Sequence, residues 1–462
     1  MLFRCILLLL LLATAMRLAA QIAVADLDRL VERRFRERKV PGLAIGIMQD
    51  GKVLLAKGYG VRDAREKKPV TTRTVFAVGS VTKSFTSAVL ATLADQGRIS
   101  WDTPVREYLP WFRMYDPVAT ELITLRDMLS HRTGLPRHDF IRFSTWLSRE
   151  DLVRRVRYFE PSRTFRDVYQ YNNLMYVAAG YIGGVVAGST WEDMVRDRIF
   201  RPLGMTRSNT SVLDTQRSDD FAIPHESGKP VEFYEYAKFG VGPNGAVNTC
   251  IDDLLKYLDM YLDDTPVLSA RQREELWKPV IPMNATMSYA MGWQVGIHGG
   301  QYRVSHGGAI TGFRAAVVLL PYRKVAIAAL VNDESNLADS IANELTDRMI
   351  GHNSPPRPST PPPARPADQP IAGAKTSKPL ASFTGTYLHP AFGRVPVELE
   401  NEQLVVRFPA LRIRLRHFHY DVFTMSGWPG RARFEMDEQG VIREMHLPLE
   451  AAVKPLVFRR VQ

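Results

Sequence analysis

Ser80-Val81-Thr82-Lys83 sets a hydroxyl and an amine three residues apart where a helix is expected to begin. If residues 80–96 are helical, three residues advance the chain by nearly one turn, so both side chains share one face and can meet. A serine hydroxyl is a weak nucleophile near neutral pH. A lysine stripped of water can lose enough basicity to take its proton. The spacing therefore proposes a covalent acyl-transfer enzyme. Roughly one Ser-x-x-Lys is expected by chance in such a chain, so the surrounding sequence has to carry the assignment.

Working outward, an opening helix is expected over 26–38, then a strand pair, 42–48 and 52–59, turned at Asp50-Gly51. The middle is helical: 84–96, 172–186, 191–200, 251–262 and 270–277 carry helix spacing, several bracketed by Gly, Pro or Asp. Strand patterns return at 289–297, 313–320 and 325–331, and a helix over 337–349 closes this part. Strands at both ends of a helical middle imply an α+β fold, one antiparallel sheet assembled from distant segments and flanked by helices, with the catalytic groove between sheet and helical region. Residues 351–379 are crowded with proline and have no apolar period, which suits an extended spacer. Beyond it, apolar and basic residues alternate strictly over 411–416. Similar short runs near Val395, Leu404, Val422, Ala432, Val441 and Leu456 suggest a small antiparallel barrel or sandwich.

The 462 residues exceed one ordinary core, and 45% hydrophobic with 24% charged is the composition of a folded soluble protein. Arg4, an apolar run over 5–16 and the small residues Ala19, Ala20, Ala23 and Ala25 read as an export peptide over 1–25. An uncleaved anchor is the lesser alternative, since the run is short for a membrane span and Arg17 closes it. Cleavage would leave Cys250 as the sole thiol, which excludes an internal disulfide or a cysteine-rich metal site. The formal charge of +11 is spread along the chain rather than blocked, and implies no nucleic-acid partner.

Two further motifs follow in the order that a serine acyltransferase with a lysine base needs: Tyr171-Asn172-Asn173 and His306-Gly307-Gly308. With Leu129-Ser-His-Arg-Thr-Gly-Leu135, Arg201-Pro-Leu-Gly-Met205, Gly292-Trp293 and Gly312-Phe313, the chain resembles the serine β-lactamase and penicillin-binding-protein family, in its class C β-lactamase-like branch. The resemblance spans about 26–351. It implies a β-lactamase/transpeptidase-like domain over 26–350, and in some relatives a lipocalin-like barrel, here 380–462, follows.

Carried over residue by residue, the resemblance makes Ser80 the nucleophile, Lys83 its base partner and Tyr171 a second proton carrier. Asn173 would orient substrate and Lys83. The amides of Ser80 and Ala309 would form the oxyanion hole, with Gly307 and Gly308 letting a strand edge approach the substrate. Tyr171 is expected to serve only if neighbouring positive charge, chiefly Lys83, lowers its phenol pKa from near 10. His306 stands where many β-lactamases hold a lysine whose charge attracts a substrate carboxylate. Histidine is mostly neutral near pH 7, which weakens the case for penicillin hydrolysis and suits relatives acting on D-amino acids or esters.

Other signals lead elsewhere. Gly240-Val-Gly-Pro-Asn-Gly245 spells a dinucleotide fingerprint but follows no strand and contains Pro243, so it is expected to be a loop lining the cleft. No His-Glu-x-x-His or Gly-x-Ser-x-Gly motif occurs, and neither metal nor organic cofactor is implied. His131 is expected to cap or pack, and Trp293 and Phe313 to wall the cleft or fill the core. The expected protein is an exported serine hydrolase that attacks an ester, an amide or a β-lactam, with a small-molecule or peptide substrate, cell-wall peptides included. The alternative is a slowly turning-over penicillin-binding sensor.

Overall fold

The computed structural model describes residues 24–143, 147–233, 242–352, 369–428, 430–450 and 453–461. The export peptide expected at 1–25 lies outside them save its last two residues, as do 353–368 of the spacer and Gly240-Val241. Helix α1 (Val24–Arg38) leads into a hairpin of β1 (Gly42–Gln49) and β2 (Lys52–Gly60). Asp50 and Gly51 both take positive φ, 49° and 70°, as a turn matched to the right-handed strand twist requires. Later in the chain come β3 (Ile281–Pro282), β4 (Met287–Tyr289), β5 (Gln294–His298), β6 (Gln301–Ile310), β7 (Phe313–Leu320) and β8 (Val325–Val331). They join the hairpin in one antiparallel sheet of order β2-β1-β8-β7-β6-β5-β4-β3.

Both faces of the central strands are covered, which explains why β1 and β8 read as continuous apolar runs. Leu43, Ile45, Ile47, Ile327 and Ala329 face α1 and the closing helix α5 (Leu337–Ile350). The opposite face receives α4 (Ile251–Leu262): a Cβ on Gly46 would lie 2.9 Å from Ile251 and 3.0 Å from Leu255, so only glycine lets this helix sit so close. The helical region is centred on α2 (Thr82–Asp95), buried at twelve of its fourteen positions and hence a core helix rather than an amphipathic surface one. Phe85 stacks on Tyr257 at 3.6 Å between ring centroids.

Two expectations need correction. The strand expected over 289–297 is two strands, because the chain turns at Gly292, whose φ is 85°. A side chain there would collide with Ser87 Oγ and the Lys83 carbonyl, at 2.6 and 2.9 Å. And β6, which carries His306-Gly-Gly308, is expected only as the strand edge that Gly307 and Gly308 imply, without bounds, because Gln-Tyr-Arg-Val-Ser-His-Gly-Gly-Ala-Ile has no sustained apolar alternation. It is a strand because β5 and β7 pair with it on both sides.

After the spacer, eight antiparallel strands, β9 (Gly385–His389) to β16 (Leu456–Val461), close into a barrel in which the last pairs with the first. The alternating stretch turns Ile413 and Leu415 inward and Arg412, Arg414 and Arg416 outward. Strand β9 is the one the pattern missed, its five residues being too short to show a period. Barrel and hydrolase domain share an aromatic contact. Phe140, 2% exposed, sets its ring 5.0 Å from Phe408 and 4.9 Å from Trp428. Among the described residues no single helix is long and apolar enough to cross a membrane.

Candidate active site

Ser80 sits in a single 3-10 turn, Gly79–Val81, that runs straight into α2. Gly79 takes a φ of 49°, which glycine adopts at little cost. Lys83, in the first turn of α2, is fully buried, with Nζ 3.2 Å from Ser80 Oγ and 2.9 Å from the carbonyl of Asn244. Burial pushes its pKa well below 10.5, because an ammonium loses its hydration there. An unprotonated amine can donate one N–H to Asn244 and offer its lone pair to the Ser80 hydroxyl. The loop expected to line the cleft thus contributes a main-chain acceptor.

Tyr171 closes the other side, its hydroxyl donating to Ser80 Oγ at 2.8 Å. Burial pushes this phenol up to about 12, against the lowering effects of the Ser80 hydrogen bond and of Arg137. The expectation that Lys83 acidifies Tyr171 is therefore corrected. An amine kept neutral by burial supplies no charge, although its Nζ lies only 4.6 Å from the ring centroid. The cation at hand is Arg137, whose guanidinium stands 5.1 Å from the same centroid.

Asn173 opens α3 (Asn173–Ala187), which Asn172 caps by accepting the Met175 N–H. The Asn173 amide donates to both oxygens of Asp139, at 3.0 Å each, rather than to Lys83. Its Oδ1 is enclosed and makes no hydrogen bond within the protein. His131 packs, as expected: Nδ1 accepts the Asn172 N–H, and the ring lies among Tyr169, Tyr171, Tyr176 and Tyr289.

Strand β6 forms the third wall. A Cβ on Gly308 would stand 1.9 Å from the Val78 carbonyl oxygen, an impossible contact that only glycine avoids. The next residue, Ala309, lies against Gly79, with backbone atoms 2.8 Å from where a Gly79 Cβ would be. The Ala309 main chain is thereby seated beside the turn that carries Ser80. Gly307 differs. Successive strand residues face opposite sides, and its missing Cβ points at Asp339 Oδ1, 3.1 Å away and remote from the cleft.

His306 is 3% exposed, and both ring nitrogens are engaged: Nδ1 donates to the Gly307 carbonyl at 2.6 Å, and Nε2 accepts from the Tyr289 hydroxyl at 2.9 Å. Burial pushes the imidazole down to about 3. It is a neutral ring with no spare N–H. The expectation that His306 touches substrate is replaced by a structural task, holding β6 against Tyr289. Trp293 and Phe313 are likewise core, 0% and 2% exposed.

Sequence inspection missed Arg137 and Asp139, paired at 2.7 Å beside Tyr171 and Asn173. They follow Leu135-Pro136 immediately after the Leu129–Leu135 landmark, where a proline next to charges reads only as a turn.

The profile of the family described as Beta-lactamase matches residues 27–348, and that of a domain of unknown function (DUF3471) matches 369–460. The unguisins hydrolase ungD' of Aspergillus campestris is 29% identical over 428 residues, covering 82% of this chain and 78% of its own length. Among solved structures, the octameric penicillin-binding protein homologue from Pyrococcus abyssi superposes with a TM-score of 0.65 at 23% identity, over 94% of this chain and all of that one. The D-amino acid amidase from Ochrobactrum anthropi SV3 gives 0.58 at 22% identity, over 71% and 98%. At such identities the two structures establish the shared fold.

Proposed function

We propose, from the premise that the chain belongs to the beta-lactamase family and is a serine hydrolase, that Ser80 forms an acyl-enzyme with an amide or ester substrate that is not recognised through a carboxylate. The observation that carries this is the buried Lys83 amine 3.2 Å from Ser80 Oγ. Ser80 Oγ attacks the carbonyl carbon while its proton passes to Lys83 Nζ. The negative charge that develops on the carbonyl oxygen is met by the amides of Ser80 and Ala309, each such donor being worth about 3 kcal/mol in comparable sites. As the tetrahedral adduct collapses, the C–N or C–O bond breaks and the leaving group takes a proton from Tyr171 or from Lys83. Water then enters and, losing a proton to the same pair, bonds to the acyl carbon; the C–Oγ bond breaks, the proton returns to Ser80 Oγ and the acid leaves.

The substrate class follows from charge. With His306 neutral and internally bonded, no cation at that position stands ready for a substrate carboxylate. This favours D-amino-acid amides and short esters over penicillins and over peptides recognised by a terminal carboxylate. The test is intact-protein mass spectrometry after a fluorophosphonate, with peptide mapping, and a kinetic panel of these substrates beside a chromogenic cephalosporin. An adduct elsewhere than Ser80, or activity retained in Ser80→Ala, overturns the assignment.

A second reading, acylation with negligible turnover, draws on Tyr171, whose phenol is held protonated by burial and so is a poor base for the deacylating water. Multiple turnovers over hours remove it. Export rests on residues 1–25 of the sequence, and a mature chain that still begins at Met1 overturns it.

A further inference from the structure

The segment that brings Arg137 and Asp139 to the catalytic side chains is unusual in its backbone. His138, between them, has a φ of 48°, a conformation that costs a non-glycine residue about 1 kcal/mol or more and persists only where its surroundings impose it. Those surroundings come from two sides. Within the hydrolase domain the His138 ring is buried and stacks on Phe159 at 4.3 Å. From the barrel, the Glu450 carboxylate accepts the backbone N–H of Phe140 at 2.8 Å. The Phe140 ring is seated among Phe392, Phe408 and Trp428.

We propose that Glu450 is a positioning residue of the catalytic site: its hold on the Phe140 amide keeps Asp139 against the Asn173 amide and Arg137 over the Tyr171 ring. The chain of contacts is continuous. It runs from Glu450 to Phe140 N, through the adjoining Asp139 to Asn173 Nδ2 at 3.0 Å, and through Arg137 to Tyr171, whose hydroxyl is 2.8 Å from Ser80 Oγ. Of the carboxylates around the Arg137 guanidinium, Asp139 acts most strongly and Glu450 least. The barrel thus completes the site, setting the geometry of the loop that faces the nucleophile. A contact that merely glued the domains together would leave the rate at Ser80 untouched. The Lys454 to Glu160 pair, 2.7 Å and exposed, is such a contact.

This inference rests on the hydrolase reading, so the experiment measures Ser80 itself. The second-order rate of fluorophosphonate labelling is compared in the full-length protein and in Glu450→Ala, Glu450→Gln, Glu450→Asp and Lys454→Ala, with thermal melts alongside. Glu450→Ala is expected to label about tenfold more slowly, in keeping with loss of a charge-assisted hydrogen bond. Glu450→Gln, which keeps the acceptor, should recover to within about threefold of wild type, and Lys454→Ala should match wild type. If Glu450→Ala does not fold, Glu450→Asp decides: its shorter reach should slow labelling several-fold, and an unchanged rate overturns the proposal. A wild-type rate in Glu450→Ala, a Gln variant as slow as Ala, or equal slowing by Lys454→Ala overturns it too. No label at Ser80 in the wild-type chain instead overturns the hydrolase reading, and this inference with it.

Discussion

Lys83 Nζ lies 3.2 Å from Ser80 Oγ in a position where water cannot reach it. The same burial that makes the amine a base makes it a liability to the fold, and the two effects can be measured separately.

Lys83→Arg puts a permanent positive charge in place of the neutral amine, because a guanidinium cannot deprotonate in a protein. Fluorophosphonate labelling of Ser80 should fall by about 10³, the middle of the range for losing a general base. Lys83→Met should be as inactive and yet more stable, by about 1 kcal/mol. The unfolded chain carries a protonated lysine and the fold does not. The Lys83 penalty is therefore present below pH 10.5, the ordinary lysine value, grows as pH falls towards the depressed folded value, and disappears above 10.5. A Tm for Lys83→Met below wild type at pH 7 contradicts this.

Tyr171→Phe retains the ring beneath Arg137 but loses the hydroxyl that donates to Ser80 at 2.8 Å. Acylation should slow by about 10²-fold with little change in Tm. Arg137→Ala should slow it less, by about tenfold, since it removes only a neighbouring charge. Stopped-flow labelling of the two variants and the double mutant gives their coupling, and strict additivity would show that Arg137 does not act through Tyr171.

Gly307 and Gly308 should differ sharply despite being neighbours. Gly308→Ala forces a Cβ to 1.9 Å from the Val78 oxygen and displaces β6 from the Ser80 turn. Its activity should drop at least about 10²-fold, the cost of a misplaced oxyanion donor. Gly307→Ala meets only the Asp339 carboxylate at 3.1 Å, which can rotate away. It should keep activity within a few-fold of wild type, and equal damage by both substitutions would contradict the facing described for β6.

The protein should be acid-sensitive through its buried histidines. Burial pushes His138 and His389 down to about 4 and His306 to about 3. Their unfolded value is near 6.5, so the unfolded chain binds these protons first. The stability they contribute is fully present above pH 6.5, falls progressively below it, and is lost by about pH 4 for His138 and His389 and about 3 for His306. Thermal melts should show Tm declining from pH 6.5 downward, and a flat Tm between 7 and 4.5 counts against it.

The motifs legible in the chain are those whose chemistry depends on local spacing. Ser80 and Lys83 meet because one helical turn brings them together. The glycines at 307 and 308 mark β6 even though the strand's period did not, and the 411–416 alternation announces a barrel strand. Tyr171 was placed by its motif, but its protonation was not. That depends on how much water and charge surround the ring, which is a property of the assembled cleft.

By itself, then, the order of residues determined which groups can react and which segments form helix or strand, since both follow from side-chain chemistry and from contacts a few positions apart. Only the tertiary structure decided that Lys83 is neutral and that His306 is turned inward. It also decided that Arg137 stands over Tyr171 and Asp139 against Asn173, with Glu450 bonded to the adjoining Phe140 amide. Burial and long-range contact set those properties: Phe140 and Glu450 meet across 310 residues of chain, a distance over which no periodicity speaks.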